Sequence, residues 1–448
     1  MIFHNNKFKL DYVIILFAFV LYFSWSITLP YDSGPDEYMR YQIPQFIYEF
    51  GKLPHGDDPI IRNEIWGISY GFTPILSYMV SALFMKVTSV FNQSDFALLT
   101  AARFVSVICS TITIYMCIKI GELIFNDKFK YLLAIIVGFL PQFIFISAYV
   151  NNDSIAILSV SIIIYNWLLG LKSKWDAKSC IGLSIGISLC ALSYYNAYGY
   201  ILCSIILFIV SILVFDKDKG ILKYRTLFKK GLMITAIILV LIGWWFIRSY
   251  IIYDGDILGI KTSNIYSEMY AREDLKPSNR LTPEIQGASI SYMLINMGWI
   301  KSSWYSFIGV FDYMSLPIFN WMYTLFNLLT LTGIYGIILK FSEVLSRKGH
   351  LIEKTEMLLI YIHMIIASFI TIFLSIYYSY TSSYQPQGRY CMPIIIPFMI
   401  FISIGIKKIM QKINSESLRN ILYFCLCISY ILVSLIVYSN IIIPTYYT

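Results

Sequence analysis

Residues 11–41 read DYVIILFAFVLYFSWSITLPYDSGPDEYMRY. From Tyr12 to Leu29 nearly every side chain is apolar or aromatic, and about 20 such residues in a helix cross the hydrocarbon of a bilayer. A signal peptide would end in a small-residue cleavage pattern. Thr28-Leu29-Pro30 is not one, so the run reads as a retained first span. The composition then changes abruptly. Gly34-Pro35 imposes a turn, and Asp36 and Glu37 stand where the first turn of a new helix begins, a position its dipole favours for acids.

Working outward, the same alternation of apolar run and polar joint fills the 448 residues. Mean hydropathy is +0.68, 58% of residues are hydrophobic and 13% are charged. A soluble globular chain carries about 25% charged residues, so a soluble enzyme, a disordered chain and a nucleic-acid binder are excluded despite the net charge of +8. The eight cysteines nearly all fall inside apolar runs, with neither metal-binding spacing nor a disulfide framework. The expected class is an all-α polytopic membrane protein, folded as one domain over 1–448.

Apolar runs near 11–29, 97–118, 131–150, 154–171, 180–194, 197–215, 231–252, 319–340, 357–378, 392–410 and 420–441 predict eleven spans. A twelfth run, 72–91, competes. Cytoplasmic loops collect Lys and Arg, and that rule decides. With 72–91 lying in the interface, most of the 34 basic residues fall inside, including the run Lys217, Lys219, Lys223, Arg225, Lys229 and Lys230, and Arg347 with Lys348. With 72–91 spanning, that run would face outward. Lys86 and Thr73-Pro74 also suit a surface helix. The N-terminus is then inside and the C-terminus outside. Two outer loops are long, 30–96 with juxtamembrane helices and the fourth, 253–318; loops of this length in compact folds usually carry function. Internal repeats and low-complexity tracts are not visible.

Four arginines stand near the outer ends of spans: Arg40, Arg103, Arg248 and Arg389. Charges at membrane depth are costly and mark function, and a guanidinium suits forked recognition of phosphate. Snorkelling to lipid headgroups is the plainer account, and the residues leave both open. Arg40 shares a helix face with Asp36 or Glu37; a surface carboxylate there can take a hydroxyl proton or merely cap and pair. Asn151-Asn152-Asp153 follows the third span, where the acid caps the next helix or faces Asp36 across a cavity. Gln385-Pro386-Gln387-Gly388-Arg389-Tyr390 breaks the chain at headgroup level and fits a phosphate or a lipid-anchored turn. His55, Asp57 and Asp58 offer a weak metal reading. No phosphate-binding glycine loop or hydrolase elbow is present.

Taken in order, Pro35-Asp36-Glu37 with Arg40-Tyr41, Phe72-Thr73-Pro74-Ile75-Leu76-Ser77-Tyr78, Ala101-Ala102-Arg103-Phe104, Asn152-Asp153 and Gln387-Gly388-Arg389-Tyr390 resemble the GT-C superfamily of membrane glycosyltransferases. The first four segments resemble the branch holding the dolichyl-phosphate-mannose protein mannosyltransferases and the bacterial aminoarabinose transferase of lipid A, and the Gln387-Gly388-Arg389-Tyr390 turn with Asn152-Asp153 also resembles an uncharacterised bacterial group within the same superfamily. The resemblance covers most of the chain. Two departures stand out. The lysine that precedes the proline pair in the aminoarabinose branch has no counterpart at Phe72-Thr73-Pro74, leaving Arg389, Arg248 or Lys86 to replace it. No extra lumenal domain is evident, which argues against a protein acceptor.

The resemblance implies an inverting glycosyltransferase in the cell membrane, with its site facing the extracytoplasmic side. The donor would be a polyprenyl-phosphate sugar and the acceptor a hydroxyl of a glycan or lipid, with no cofactor and any divalent-metal requirement open. Asp36 would be the base, with Glu37 and Asp153 orienting the sugar or acceptor. Arg40 would hold the carboxylates, and Arg389, with Arg248 or Arg103, would stabilise the leaving phosphate beside Gln387 and Tyr390. A flippase or a polymerase or ligase of lipid-linked saccharides is the alternative.

Overall fold

Each of the eleven apolar runs is helical in a computed structural model of the chain, which describes residues 2–125, 127–215, 220–346 and 351–447. Lys217, Lys219, Arg347 and Lys348 lie outside the described residues. The chain opens with α1 (Ile2–Thr28), followed by the juxtamembrane helices α2 (Glu37–Phe50) and α3 (Leu76–Thr88). Next come α4 (Asp95–Ile124), α5 (Lys130–Gly138), α6 (Pro141–Ile146), α7 (Asp153–Ser173), α8 (Ala177–Ala191), α9 (Tyr198–Phe215) and α10 (Ile221–Ile252). The fourth outer loop holds α11 (Ile260–Tyr270), α12 (Ile290–Ile295), α13 (Trp299–Gly309) and the hairpin β1 (Val310–Phe311) and β2 (Leu316–Pro317). Four longer helices, α14 (Asn320–Ser346), α15 (Leu351–Thr381), α16 (Ile395–Met410) and α17 (Glu416–Val437), precede the short α18 (Ile443–Tyr447).

Among the described residues, nine helices are long and apolar enough to cross a membrane. The other two expected spans are helical but shorter. The run at 131–150 divides into α5 and α6 because Pro141 forces Leu140 into an extended backbone (φ −71°, ψ 125°), and proline then starts the second helix. α8 has 15 residues, roughly 22 Å at 1.5 Å each. The competing run at 72–91 becomes α3, which has 13 residues and cannot span. It packs between α2 and α4, burying the stripe Ser77, Tyr78, Ser81, Ala82 and Met85.

Of the nine long apolar helices, α7 is the most enclosed and α10 the least; the broken third span, 131–150, is buried throughout, so Asp153, at the start of α7, follows directly on the innermost stretch of the bundle. Small residues set the closest approach elsewhere. A Cβ on Gly336 would lie 2.0 Å from the Gly405 carbonyl oxygen, and one on Gly405 1.8 Å from that of Gly333. α14 and α16 therefore touch backbone to backbone, the packing that small residues permit in lipid. The two long outer loops are also joined: the Arg272 amide donates to the Ile65 carbonyl at 3.0 Å and the Ser267 hydroxyl to that of Trp66 at 3.1 Å.

Candidate active site

The turn quoted at the outset is closed by reciprocal bonds. The Asp32 carboxylate accepts from the Tyr38 amide at 2.9 Å, and Glu37 Oε2 accepts from the Asp32 amide at 3.1 Å. Inside it, Asp36 adopts the left-handed conformation (φ 62°, ψ 16°) as the cap residue of α2. Asp is among the few residues that tolerate this backbone. Gly34 is required by space, since a Cβ there would lie 2.3 Å from the Tyr149 ring.

This geometry sends the two adjacent carboxylates in different directions. Asp36 Oδ2 accepts from Arg389 Nη2 at 2.7 Å and from the Tyr70 hydroxyl at 3.0 Å, with Arg40 Nη2 at 4.0 Å. Arg389 Nη1 also donates to the Pro35 carbonyl at 3.1 Å. Arg40 turns its other nitrogen, Nη1, to Asn152 Oδ1 at 2.6 Å and Asp153 Oδ2 at 3.5 Å, and its guanidinium lies 4.7 Å from the centre of the Tyr70 ring. Residues 36, 40, 152, 153 and 389 thus form one network of two acids and two guanidiniums, balanced in charge. Burial raises the Asp36 pKa, but the charges of Arg389 and Arg40 and the hydrogen bonds from Arg389 and Tyr70 outweigh it and bring the group down to about 2.

Glu37 is fully buried and fully occupied. Its two oxygens accept from Arg103 Nε and Nη2, both at 2.7 Å, from the Val150 amide at 2.9 Å and from the Asp32 amide. Arg103 spends its remaining donors on the carbonyls of Ser26 (2.7 Å), Leu29 (2.6 Å) and Pro30 (2.8 Å). A guanidinium has five N–H groups and a carboxylate about four lone-pair sites; all are used. This pair ties α1, α2, α4 and the end of the third span together, and neither member has a polar group left for a ligand.

The break before α16 behaves otherwise. A Cβ on Gly388 would lie 2.2 Å from the Phe307 amide nitrogen, and the Gly388 amide donates to the Ser306 hydroxyl at 2.7 Å. That close docking on α13 aims Arg389 at Asp36. The Tyr390 hydroxyl accepts from Arg389 at 3.1 Å and donates to Gln385. Several buried atoms here have no hydrogen-bond partner among the described residues: Arg389 Nε, Arg40 Nε, Gln387 Oε1 and the Tyr149 hydroxyl. Each such group is costly unless something satisfies it.

Arg248 is not in this network. Its Nη2 donates to the Pro54 carbonyl at 2.7 Å, while Nη1 is buried without a partner. It belongs to a second cluster with His55, hydrogen-bonded to Asp57, and Arg62, which donates to the Asp57 carbonyl at 2.6 Å. The turn Tyr70–Phe72 joins the clusters: Tyr70 reaches Asp36, while the Phe72 ring lies 5.4 Å from Tyr253 and 6.3 Å from His55. Among the described residues no three of His, Cys, Asp and Glu converge to hold a metal ion.

Tyr70 and Tyr313 escaped sequence reasoning. The Tyr313 hydroxyl, from the tip of the β1–β2 hairpin, donates to Asp32 at 2.8 Å and so latches the fourth outer loop onto the Asp36 turn. Neither tyrosine carries charge or a recognisable spacing, so only the fold could single them out.

The model for the family described as dolichyl-phosphate-mannose-protein mannosyltransferase matches residues 73–245. No curated protein sequence matches the chain. Among solved structures, the oligosaccharyltransferase of Archaeoglobus fulgidus tethered to an acceptor peptide superposes with a TM-score of 0.53 at 15% identity, over 95% of this chain and 55% of that one. AglB of the same organism, in complex with an inhibitory peptide and dolichol-phosphate, gives 0.50 at 14%, over 96% and 55%. ArnT of Cupriavidus metallidurans, bound to undecaprenyl phosphate, gives 0.51 at 12%, over 90% and 60%. The chain spans little more than half the length of these proteins, and the likeness is one of fold.

Proposed function

We propose that this chain, which has the GT-C membrane fold, transfers a sugar from a polyprenyl-phosphate donor to an acceptor hydroxyl of a cell-envelope glycan or lipid at the extracytoplasmic face. The observation that carries the reading is the contrast at the turn: Asp36 is 28% exposed and held by a guanidinium that still has a free N–H, whereas Glu37 is saturated. An accessible carboxylate beside an incompletely used arginine is what a displacement with a phosphate leaving group requires.

In the reaction, the acceptor oxygen attacks the anomeric carbon from the side opposite the phosphate. The bond from that carbon to the phosphate oxygen breaks with inversion, its electron pair stays on the lipid phosphate, and the hydroxyl proton passes to Asp36. Arg389 offers Nε to the developing phosphate charge, and Arg248 offers Nη1 from the adjoining cluster. A carboxyl group with a pKa near 2 is a weak base, so the resting pair cannot be the working state. A donor phosphate competing for Arg389 would weaken its grip on Asp36 and raise the carboxylate's basicity as substrate binds.

Asp153 and Asn152 hold Arg40, and Arg40 and Tyr70 steady Asp36 from behind. Glu37 and Arg103 act as a strut. Gln387 and Tyr390 border the same space and offer polar contacts to a sugar. That dolichol-phosphate and undecaprenyl phosphate are bound by structures of this fold supports a polyprenyl-phosphate donor. A transporter of lipid-linked saccharide would need ionised groups at mid-membrane, and here they gather at one end.

The test is reconstitution of purified protein with defined monosaccharide-phosphate and oligosaccharide-pyrophosphate polyprenols, with acceptor and lipid products read by mass spectrometry. Consumption of a monosaccharide phosphate with release of free polyprenyl phosphate is expected. Translocation of an intact donor without bond cleavage would overturn the reading.

A further inference from the structure

We propose that the end of the bundle remote from Asp36 holds an anionic phospholipid, one acyl chain in a groove between α1, α5 and α17 and the headgroup against Lys128. The groove has a volume of about 430 Å³ and is walled by Val13 and Phe17 of α1, Ile135 and the adjoining Phe139 after α5, and Phe424 and Ile428 of α17. It runs alongside α5, from Lys128 and Tyr131 at one end to Phe139, just past the last residue of that helix, Gly138, at the other. From Leu10, at one end of the groove, to Thr28, beside the Asp36 turn, α1 rises roughly 27 Å at 1.5 Å per residue. The donor's phosphate and this groove are therefore at opposite faces.

The rim supplies the charge. Lys130 is paired with Glu122 at 2.9 Å and Asp11 at 3.5 Å, and Lys407 with Asp127 at 2.8 Å. Lys128 has no carboxylate within ion-pair distance among the described residues. Its ammonium donates to Asn420 and lies 5.0 Å from the Tyr423 ring centre and 5.8 Å from that of Phe424, across the mouth of the groove. An ammonium has three N–H donors, so donors remain for a phosphate. By the distribution of Lys and Arg this end faces the cytoplasm, where the leaflet is negatively charged and basic pockets between spans bind anionic headgroups. Between Leu10 and Phe17 the groove runs only about 10 Å along α1, enough to seat part of an acyl chain.

The test uses the full chain in mild detergent, exposed to vesicles of equimolar phosphatidylglycerol and phosphatidylethanolamine with matched acyl chains, and read by native mass spectrometry. The expected result is retention of phosphatidylglycerol over phosphatidylethanolamine by about fivefold, the effect of one well-placed cation. Lys128→Gln should erase that preference without changing helical content. Val13→Trp, at an exposed position lining the groove, should lower retention of both lipids. Equal retention of both lipids by the unaltered chain, or an unchanged preference in Lys128→Gln, would overturn the proposal. So would displacement of the bound lipid by added undecaprenyl phosphate, which would assign the groove to a polyprenyl tail.

Discussion

Asp36 and Glu37 are neighbours in sequence and opposites in structure. Each faces an arginine from a distant span, Arg389 and Arg103. At Glu37 every donor and acceptor is matched, and the pair is closed to solvent and to ligands. At Asp36 the carboxylate keeps some exposure and its arginine keeps an unused Nε. Completeness of hydrogen bonding, together with exposure and not charge alone, separates the two pairs: a saturated, buried ion pair holds helices together, and an unsaturated, partly exposed one can exchange a partner for a ligand.

That contrast can be broken in graded ways. The largest effect is expected from Asp36→Asn, which keeps the shape and removes the base. Sugar transfer should fall by about 10²–10⁴-fold while the protein still folds, with a lowered thermal unfolding midpoint in detergent because Arg389 and Arg40 lose their counter-charge. Transfer at the parental rate would remove Asp36 from the mechanism. Arg103→Met should do the reverse in kind, leaving Glu37 charged and buried at a cost of about 3–5 kcal/mol, seen as loss of folded protein in size-exclusion and thermal assays.

Arg389→Gln should reduce turnover by about 10²–10³-fold and also move the pH profile. Asp36 is held near pKa 2 chiefly by Arg389 and Arg40 working against burial. Its ionised form therefore stabilises the parent fully above about pH 4, and that contribution is lost as pH falls toward 2. Without Arg389 the folded pKa rises, so the acid limb of activity should shift to higher pH; an unmoved limb would show that Asp36 is not the group titrating. Tyr313→Phe is expected to have the smallest effect. It removes one hydrogen bond to Asp32, worth about 1 kcal/mol, and should raise KM or lower kcat a few-fold by loosening the turn. An unaltered kcat and KM would confine Tyr313 to loop packing.

Much of the architecture was readable in the chain. Spans such as α4, α7 and α9 announce themselves by length and hydropathy, and the run at 72–91, set aside by the distribution of Lys and Arg, forms a helix of only 13 residues. The weakest readings were at 131–150, where one proline divides a run that composition treats as continuous, and at Glu37 and Arg103. As residue types, those two are as suitable for chemistry as Asp36 and Arg389. Arg248 likewise stood with the other arginines, yet the fold sets it in the adjoining cluster of His55 and Arg62.

Local composition settled what must be buried in lipid, because the transfer cost of polar groups is paid residue by residue and sums along each run. It also put Asp36, Asp153 and Arg389 at the ends of runs expected on one face. Which acid meets which guanidinium was decided only by the tertiary structure. Hydrogen bonds act over about 3 Å, and such distances between residues 36, 103, 153 and 389 depend on helix packing and on a left-handed turn at Asp36 that hydropathy cannot encode.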